Sequence, residues 1–507
     1  MVCTNGTEYS ECGPPCPPTC EDQEPTCQQE RCVDGCHCPE GKVLENGQCI
    51  IIDQCPCHYG DIMYSPGDTM DQDCNTCVCQ DGNWQCTDSV CPSTCSVSGP
   101  HFTTFDGLMY DYHGECPHYL VESDDFHIQL DYGTNCREDI YVNGVCIRGI
   151  TVHTSRGAVV KIKSTMEVTV NGREMTSLPV MAPGVYVGRA TSSYMKAHLK
   201  SGLEILWDLD STIHVYSPVE LFGQLRGLCG TFTKNQQDEF LTPEGDVEKT
   251  ANVFARKWMV EELCQDIPQV PDVTEEERPC EKYPGRREIA AKVCDFMRGP
   301  EFSDCHPLID YTRYYSNCME DVCDCEIEPE FCACLSFSNY AAACAKKGKP
   351  LSWRQAFPPC GISCPMGQMY LSCANPCSYS CSEIANSYAN CRDSCVEGCM
   401  CPPGETLNAH GTCVPVSTCS CVHSGHAYPP DYLQRRGKEM CACSQGHWDC
   451  HEATTADILL TPPPHVAPDC NVSAGMEPTE CVTECPLTCS NYHHHQQCPM
   501  SVCVPGC

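Results

Sequence analysis

From residue 159 to 175 the chain reads "VVKIKSTMEVTVNGREM", with apolar and polar positions alternating and the pattern breaking at Asn171-Gly172. A period of two puts the apolar members on one face of a strand, and Asn-Gly between two such runs predicts a tight hairpin. Residues 203–216, "LEILWDLDSTIHVY", predict another pair of strands. The stretch 95–279 is therefore expected to be a β domain, the one segment able to build a sizeable core. Further on the period changes. Ile289, Val293 and Phe296 stand at i, i+4, i+7, and "NYAAACAKK" (339–347) is helix-prone, so 280–362 is expected to be a small helical module. "DIPQVPDVTEEERP" (266–279) and "TTADILLTPPPHVAPD" (454–469) carry the proline and charge of linkers.

Cysteine changes this picture most: 53 of 507 residues. Thiols at that density form bridges in an oxidising compartment. A zinc-rich array is the competing reading, and the absence of repeated CxxC…CxxC pairs argues against it. The formal charge of −37 removes nucleic acid as a partner, since no basic patch faces phosphates, and favours cations. No apolar run approaches a membrane span. The opening "MVCTNGTEYS" has no basic start and no apolar run, so a secreted chain of this kind is expected to be a piece of a longer one. Asn5-Gly6-Thr7 and Asn471-Val472-Ser473 fit glycan acceptor sites at Asn5 and Asn471.

The cysteines repeat. Ten lie in 3–55 and ten in 364–419, each set with three at four-residue steps (Cys12, Cys16, Cys20; Cys373, Cys377, Cys381) and each closing on Cys-x-Cys-Pro. The tail, from Cys470 to Cys507, starts the pattern a third time. Behind each full copy comes a second repeat, "CVCQDGNWQC" (77–86) and "CACSQGHWDC" (441–450). The first of these carries Cys74 and Cys91 in addition. The second lacks both, which predicts that Cys74 and Cys91 bond to each other. Such units are too small to bury a core, so bridges must stabilise them, at about 2–4 kcal/mol each.

The order of these pieces, with "PHFTTFDGLMYDYHGEC" (100–116), "CNTCVCQDGNWQCTDSVC" (74–91) and "GLCGTFTKNQQDEFLTPEGDVE" (227–248), resembles the D assembly of von Willebrand factor, gel-forming mucins, SCO-spondin and invertebrate hemocytins. The resemblance covers essentially the whole chain. It implies a multi-domain, disulfide-rich protein: a trypsin-inhibitor-like module (1–56), an E module (57–94), a von Willebrand type D domain of antiparallel β-sandwich type with its linker (95–279), and an α-helical eight-cysteine-type module (280–362). A second trypsin-inhibitor-like module (363–420), an E-type module with linker (421–469) and a truncated trypsin-inhibitor-like module (470–507) follow.

Within "GLCGTFTKNQQDEF" (227–240) oxygen-bearing side chains alternate and two carboxylates follow. Alone, this is equally a calcium loop or a solvated acidic turn, because calcium needs six to eight oxygens. The resemblance adds the aspartate of "TFDG" and implies Ca2+ held by Asp106, Thr231, Thr233, the backbone at Asn235, Asp238 and Glu239. Relatives usually carry Asn or Asp where this chain has Thr231 and Thr233, and a hydroxyl is the poorer ligand. Relatives also often read "CGLCG", a Cys-x-x-Cys suited to disulfide exchange. Here Arg226 takes the first position, and the partner cysteine expected after "GEC" is missing from "PHYLVESDD" as well. The resemblance then pairs Cys229 with Cys95, Cys116 with Cys264, and Cys136 with Cys146.

Module by module the cysteines number 10, 6, 6, 10, 10, 4 and 7, even everywhere except in the truncated tail. Each complete module can close on itself. Covalently dimerising relatives carry a Cys-Ala-Cys-x-Cys run, and this chain has Cys332-Ala333-Cys334-Leu335-Ser336, so Cys332 and Cys334 are the thiols to watch for an interchain bond. Two functions compete. The first is a non-enzymatic structural segment of a secreted glycoprotein of matrix, mucus, clotting or adhesive type, self-associating with neighbouring D assemblies or other extracellular glycoproteins. The second is serine-protease inhibition through a trypsin-inhibitor-like loop, best placed at "CQQERC" (27–32). No GxSxG, HExxH or phosphate-cradling glycine loop points to an enzyme. "CNTC" (74–77) is formally a redox motif in a structural setting, and His493, His494 and His495 read either as a transition-metal tract or as a polar loop.

Overall fold

The computed structural model describes residues 2–27, 31–59, 62–72, 74–114, 116–133, 146–264, 279–325, 327–386, 395–423, 426–436 and 439–452, with two short strands at 479–483 and 503–506. It divides into two compact units, Met1–Ser93 with Pro218–Phe222, and Thr94–Ser217 with Gly223–Cys507.

In the first unit, β1 (Glu8–Gly13) pairs antiparallel with β2 (Val33–His37), and β3 (Lys42–Glu45) with β4 (Gln48–Ile51). Among the described residues the buried cluster is small, Cys20, Val43 and Cys55 with Ile50 and Ile52 against them, and five bridges do the work of a core: Cys3–Cys36, Cys12–Cys32, Cys16–Cys27, Cys20–Cys55 and Cys38–Cys49. A hairpin of β5 (Cys57–Tyr59) and β6 (Ile62–Tyr64) follows, then a three-stranded sheet of β7 (Thr69–Gln72), β8 (Asn75–Gln80) and β9 (Asn83–Cys86). The β8–β9 turn presses on the preceding module. Gly82 has φ +76°, and a Cβ there would stand 2.8 Å from the Cys20 carbonyl oxygen. The Trp84 indole donates to the His58 carbonyl at 3.0 Å.

The second unit is built on two antiparallel sheets. One comprises β10 (Ser93–Ser98), β11 (His101–Thr103), β12 (Met109–Asp111), β19 (Val180–Ala182), β20 (Val185–Arg189), β21 (Met195–Leu199), β22 (Glu204–Trp207) and β23 (Thr212–Ser217). They run in the order β12-β11-β10-β23-β22-β21-β20-β19. The other runs in sequence order through β13 (His118–Glu122), β14 (Phe126–Gly133), β15 (Cys146–Thr154), β16 (Val159–Lys163), β17 (Val168–Val170) and β18 (Arg173–Glu174). Alternation dictates what each sheet buries. Val187, Ala197, Ile205 and Val215 form one cross-strand row, and Leu130, Ile150, Ile162 and Val168 another, none more than 2% exposed. The expected hairpin turns at Asn171 (φ +50°) and Gly172 (φ +78°), the two left-handed residues such a turn requires.

Helix α1 (Ala251–Lys257) ends the domain, and a bundle of α2 (Pro279–Lys282), α3 (Arg287–Cys294), α4 (Thr312–Asp324) and α5 (Pro329–Lys346) follows. Val293 and Phe296 pack against its buried cluster as the spacing predicts, Phe296 from a 3-10 turn after α3, whereas Ile289 is 50% exposed. The most buried line runs through Ala290, Cys294 and Met297, and Cys294 bonds to Cys318 on α4. Five bridges close this module: Cys280–Cys323, Cys294–Cys318, Cys305–Cys344, Cys325–Cys332 and Cys334–Cys360.

Then come β24 (Met369–Ala374), α6 (Cys381–Asn386), β25 (Val396–Met400), β26 (Glu405–Leu407) and β27 (Cys413–Pro415), which restate the first module. A hairpin of β28 (Cys421–His423) and β29 (His426–Tyr428) follows, then a three-stranded sheet of β30 (Leu433–Arg436), β31 (Glu439–Ser444) and β32 (His447–Glu452). The equivalence extends to detail. Trp448 donates to the Val422 carbonyl at 3.0 Å, and Gly446 (φ +79°) has Ile384 and Cys419 against it, as Gly82 has Cys20 and Cys55.

Polar clamps, several of them buried, join the modules of this unit. His101 on β11 places Nδ1 2.7 Å from Asp111 and Nε2 3.0 Å from Asp321 on α4. Arg313 donates to Asp111 at 2.7 Å, and the Ser336 hydroxyl to Asp321 at 2.7 Å. Glu383 on α6, 2% exposed, accepts from the Arg189 amide at 2.9 Å and from the Tyr186 hydroxyl, with Lys196 Nζ 3.7 Å away. Gly188 makes room for it, since a Cβ there would come within 2.3 Å of Glu383 Oε1. Arg354 holds Glu397 with both Nε (2.8 Å) and a terminal nitrogen (2.5 Å).

Candidate functional site

The segment after Gly227 runs between the two sheets. Cys229 bonds to Cys95 on β10, and its amide donates to the Leu120 carbonyl of β13 at 2.9 Å. Gly227 (φ +126°) has the Leu120 carbonyl oxygen 2.7 Å from where a Cβ would stand, so glycine is what lets the loop approach β13 this closely. The Phe105 amide donates to the Cys229 carbonyl, which brings the Thr104–Gly107 turn beside the loop.

Asp106 Oδ2 accepts from the backbone amides of Thr233 (2.9 Å) and Asn235 (3.0 Å), and the Gln236 side-chain Nε2 donates to the Asp106 carbonyl at 2.8 Å. Asp238 Oδ1 accepts from the Thr231 hydroxyl at 2.8 Å. The Thr233 hydroxyl oxygen lies 3.2 Å from Asp106 Oδ2 and 3.1 Å from each oxygen of Asp238. A hydroxyl has one proton, so it satisfies one of those three carboxylate oxygens, and the other two face an oxygen lone pair. Carboxylate oxygens crowded in this way, with hydroxyl oxygens among them, are a donor set that suits a hard cation. Asp106, Thr231, Thr233, Asn235 and Asp238 are thus brought together.

Glu239 is different. Its carboxylate, 1% exposed, accepts from the Thr104 hydroxyl (2.7 Å), the Asp106 amide (3.1 Å) and the Thr231 amide (2.9 Å). Burial pushes it up to about 7, and those three donors oppose the shift. These three donors tie Glu239 to the Thr104–Asp106 turn and to Thr231, so it braces the loop from beneath. It also requires Gly230 (φ +70°), where a Cβ would fall 1.6 Å from Glu239 Oε2. Among the described residues the one set of three His, Cys or acidic ligand atoms within 4.8 Å of one another is Glu439, Cys441 and Cys450, and two of those are bonded together.

The structure bonds Cys116 to Cys264 and Cys74 to Cys91. The Cys136–Cys146 pairing lies outside the described residues, as do Asn471, the three-histidine tract and residues 28–30 of the inhibitor-type loop. Cys332 and Cys334, watched for an interchain bond, are instead taken by Cys325 and Cys360, with Cα–Cα separations of 6.1 and 5.5 Å, and Cys332 is fully buried. Asn5 sits exposed in a turn at φ +55°, its side-chain amide donating to the Gly47 carbonyl at 3.2 Å. Sequence reasoning placed Arg226 at the vacant cysteine position but missed its partner. Arg226 Nε donates to Glu122 Oε2 at 2.9 Å, and the two residues exchange both backbone hydrogen bonds.

A β domain with bridges at its loop, a helical module locked by five more, and paired cystine modules define an extracellular multidomain building block. Family models match accordingly: the von Willebrand factor type D domain at 95–246, the C8 domain at 293–361, the Trypsin Inhibitor like cysteine rich domain at 3–55 and 364–419, and the Von Willebrand factor-like domain at 62–89. Von Willebrand factor of Bos taurus is 32% identical over 534 residues, covering 100% of this chain, and SCO-spondin of Gallus gallus is 35% identical over 474 residues, covering 91%. Mucin-5AC of Homo sapiens is 33% identical over 523 residues, again covering 100%. The chain belongs to the family of von Willebrand factor D assemblies. It spans 55% of the length of the first relative and 9% of each of the other two. Its density of bridges and these secreted relatives place it outside the cell.

Proposed function

We propose that this chain is a non-enzymatic, calcium-supported and disulfide-locked segment of a large secreted glycoprotein, packing against neighbouring D assemblies or other extracellular glycoproteins. The observation that supports this reading best is closure: the bridges of the described residues each join two cysteines of one module, and buried ion pairs clamp module to module. A segment so cross-braced is suited to bear shape rather than to turn over a substrate.

Asp106, Asp238 and the oxygens of Thr231, Thr233 and Asn235 would hold the calcium ion, with Glu239 bracing the loop from below. The ion would supply positive charge among the crowded carboxylates. Thermal unfolding in millimolar calcium and in chelator tests this. We expect a higher midpoint with calcium, lost in Asp106→Asn and Asp238→Asn. Equal midpoints in the unmodified chain would remove calcium from the reading. Sedimentation of the intact chain against concentration tests the association, and a purely monomeric profile at all concentrations would count against it.

A further inference from the structure

We infer that the row Glu122–His127–His153 across β13, β14 and β15 is a binding site for a divalent transition-metal ion, separate from the calcium loop. The register places these residues directly opposite one another, Glu122 against His127 and His127 against His153. Residues opposite on adjacent antiparallel strands project from the same face, with Cβ atoms about 5 Å apart. The two imidazoles are already together, ring centroids 4.3 Å apart at 21°, and the Tyr119 ring stands edge-on to His127 at 5.5 Å.

Three physical features suit a metal. Both histidines are half-buried, so solvent reaches them while their strands stay fixed. A neutral imidazole offers one nitrogen lone pair to a metal while its other nitrogen keeps its proton. Finally, Arg226 Nε holds Glu122 Oε2 at 2.9 Å, the kind of outer hydrogen bond that orients a ligating carboxylate.

Two imidazole nitrogens and one carboxylate oxygen form a donor set for zinc, nickel or copper, whereas calcium wants oxygen alone. The ligand atoms of the three residues do not converge as the side chains stand, so binding would require the rings to rotate about their side-chain bonds. The sheet supplies the spacing.

The test is calorimetric titration with Zn2+ in millimolar calcium, on the full chain carrying His493→Ala, His494→Ala and His495→Ala to silence the tail tract. One equivalent should bind, at least tenfold more weakly in His127→Gln, several-fold more weakly in Glu122→Gln, and with no saturable heat in His127→Gln/His153→Gln. No saturable binding in the tail-silenced chain, or unchanged affinity in the double variant, overturns the site. A second measurement needs no change at the row. Acylation of the histidines by diethyl pyrocarbonate, mapped by mass spectrometry, should be slowed by Zn2+ at His127 and His153 together. Equal labelling with and without zinc overturns the site as well.

Discussion

His101 reaches Asp321 across 220 residues of chain, Nε2 to Oδ1 at 3.0 Å, while its other ring nitrogen faces Asp111 at 2.7 Å. Both nitrogens meet carboxylates, so both must carry protons to be satisfied, and the ring is a cation. Burial opposes that charge, and the pull of Asp321 and Asp111 outweighs it, raising the ring from 6.5 to about 9. A histidine with a raised folded value contributes stability that is complete below about 6.5 and is lost as pH climbs through about 9. Denaturant midpoints measured from pH 6 to 10 should fall by an amount corresponding to on the order of 2–3 kcal/mol. His101→Gln should be less stable at pH 6 and show a flatter profile. A profile that is level in both chains would mean the ring is neutral.

Gly230→Ala should be among the most damaging small substitutions in the domain. It demands a left-handed alanine and a methyl 1.6 Å from the Glu239 carboxylate. We expect a loss of about 2–4 kcal/mol, from backbone strain and a broken buried hydrogen-bond set together. Chemical denaturation measures it. A loss under about 1 kcal/mol would show that Glu239 moves away freely, which is at odds with its three donors.

Thr233→Asn should strengthen calcium binding several-fold. The hydroxyl stands 3.1–3.2 Å from oxygens of two carboxylates, and an amide carbonyl offers a better oxygen without adding charge. Calcium titration by calorimetry compares the two chains, and weaker binding in the asparagine variant would place Thr233 outside the ligand set.

Glu383→Ala should loosen the second cystine module from the sheet. Lys196, 3% exposed, loses its buried counter-charge, and the Tyr186 hydroxyl and Arg189 amide lose their acceptor. Removing one partner of a buried pair costs about 3–5 kcal/mol. The double change Lys196→Met/Glu383→Leu should recover much of that, because two apolar side chains leave no stranded charge. Limited proteolysis near residues 363–420 reads the difference, and equal cleavage of both variants would argue against the clamp.

Much of the fold is legible because cysteine spacing and strand alternation are local signals. The Asn171-Gly172 turn, the strands on either side, and the Cys74–Cys91 bridge all follow from a few neighbouring residues or from comparing one repeat with the other. The loop was legible as a cluster of oxygens but not in its division of labour. Which amides and hydroxyls a carboxylate meets depends on the backbone of a distant turn, and the three donors to Glu239 come from such a turn and from Thr231. The clamps at His101, Glu383 and Arg354 join residues tens to hundreds of positions apart, and no periodicity reports them. Arg226 shows the same limit: the sequence reveals a missing cysteine, but only the pairing with Glu122 reveals an ion pair between partly exposed side chains in its neighbourhood. Such a pair contributes about 0.2–1 kcal/mol against the 2–4 of a bridge, so this edge of the domain is held more weakly and in a salt-dependent way.

Gly82 and Gly446 seat equivalent hairpin tips against equivalent cystines of the modules before them. Each cystine module and the small sheet behind it therefore form a couplet whose joint is contained within itself. A cut between the two halves of a couplet would strand a glycine tip in water. The couplet, rather than the single module, is the natural brick of this architecture.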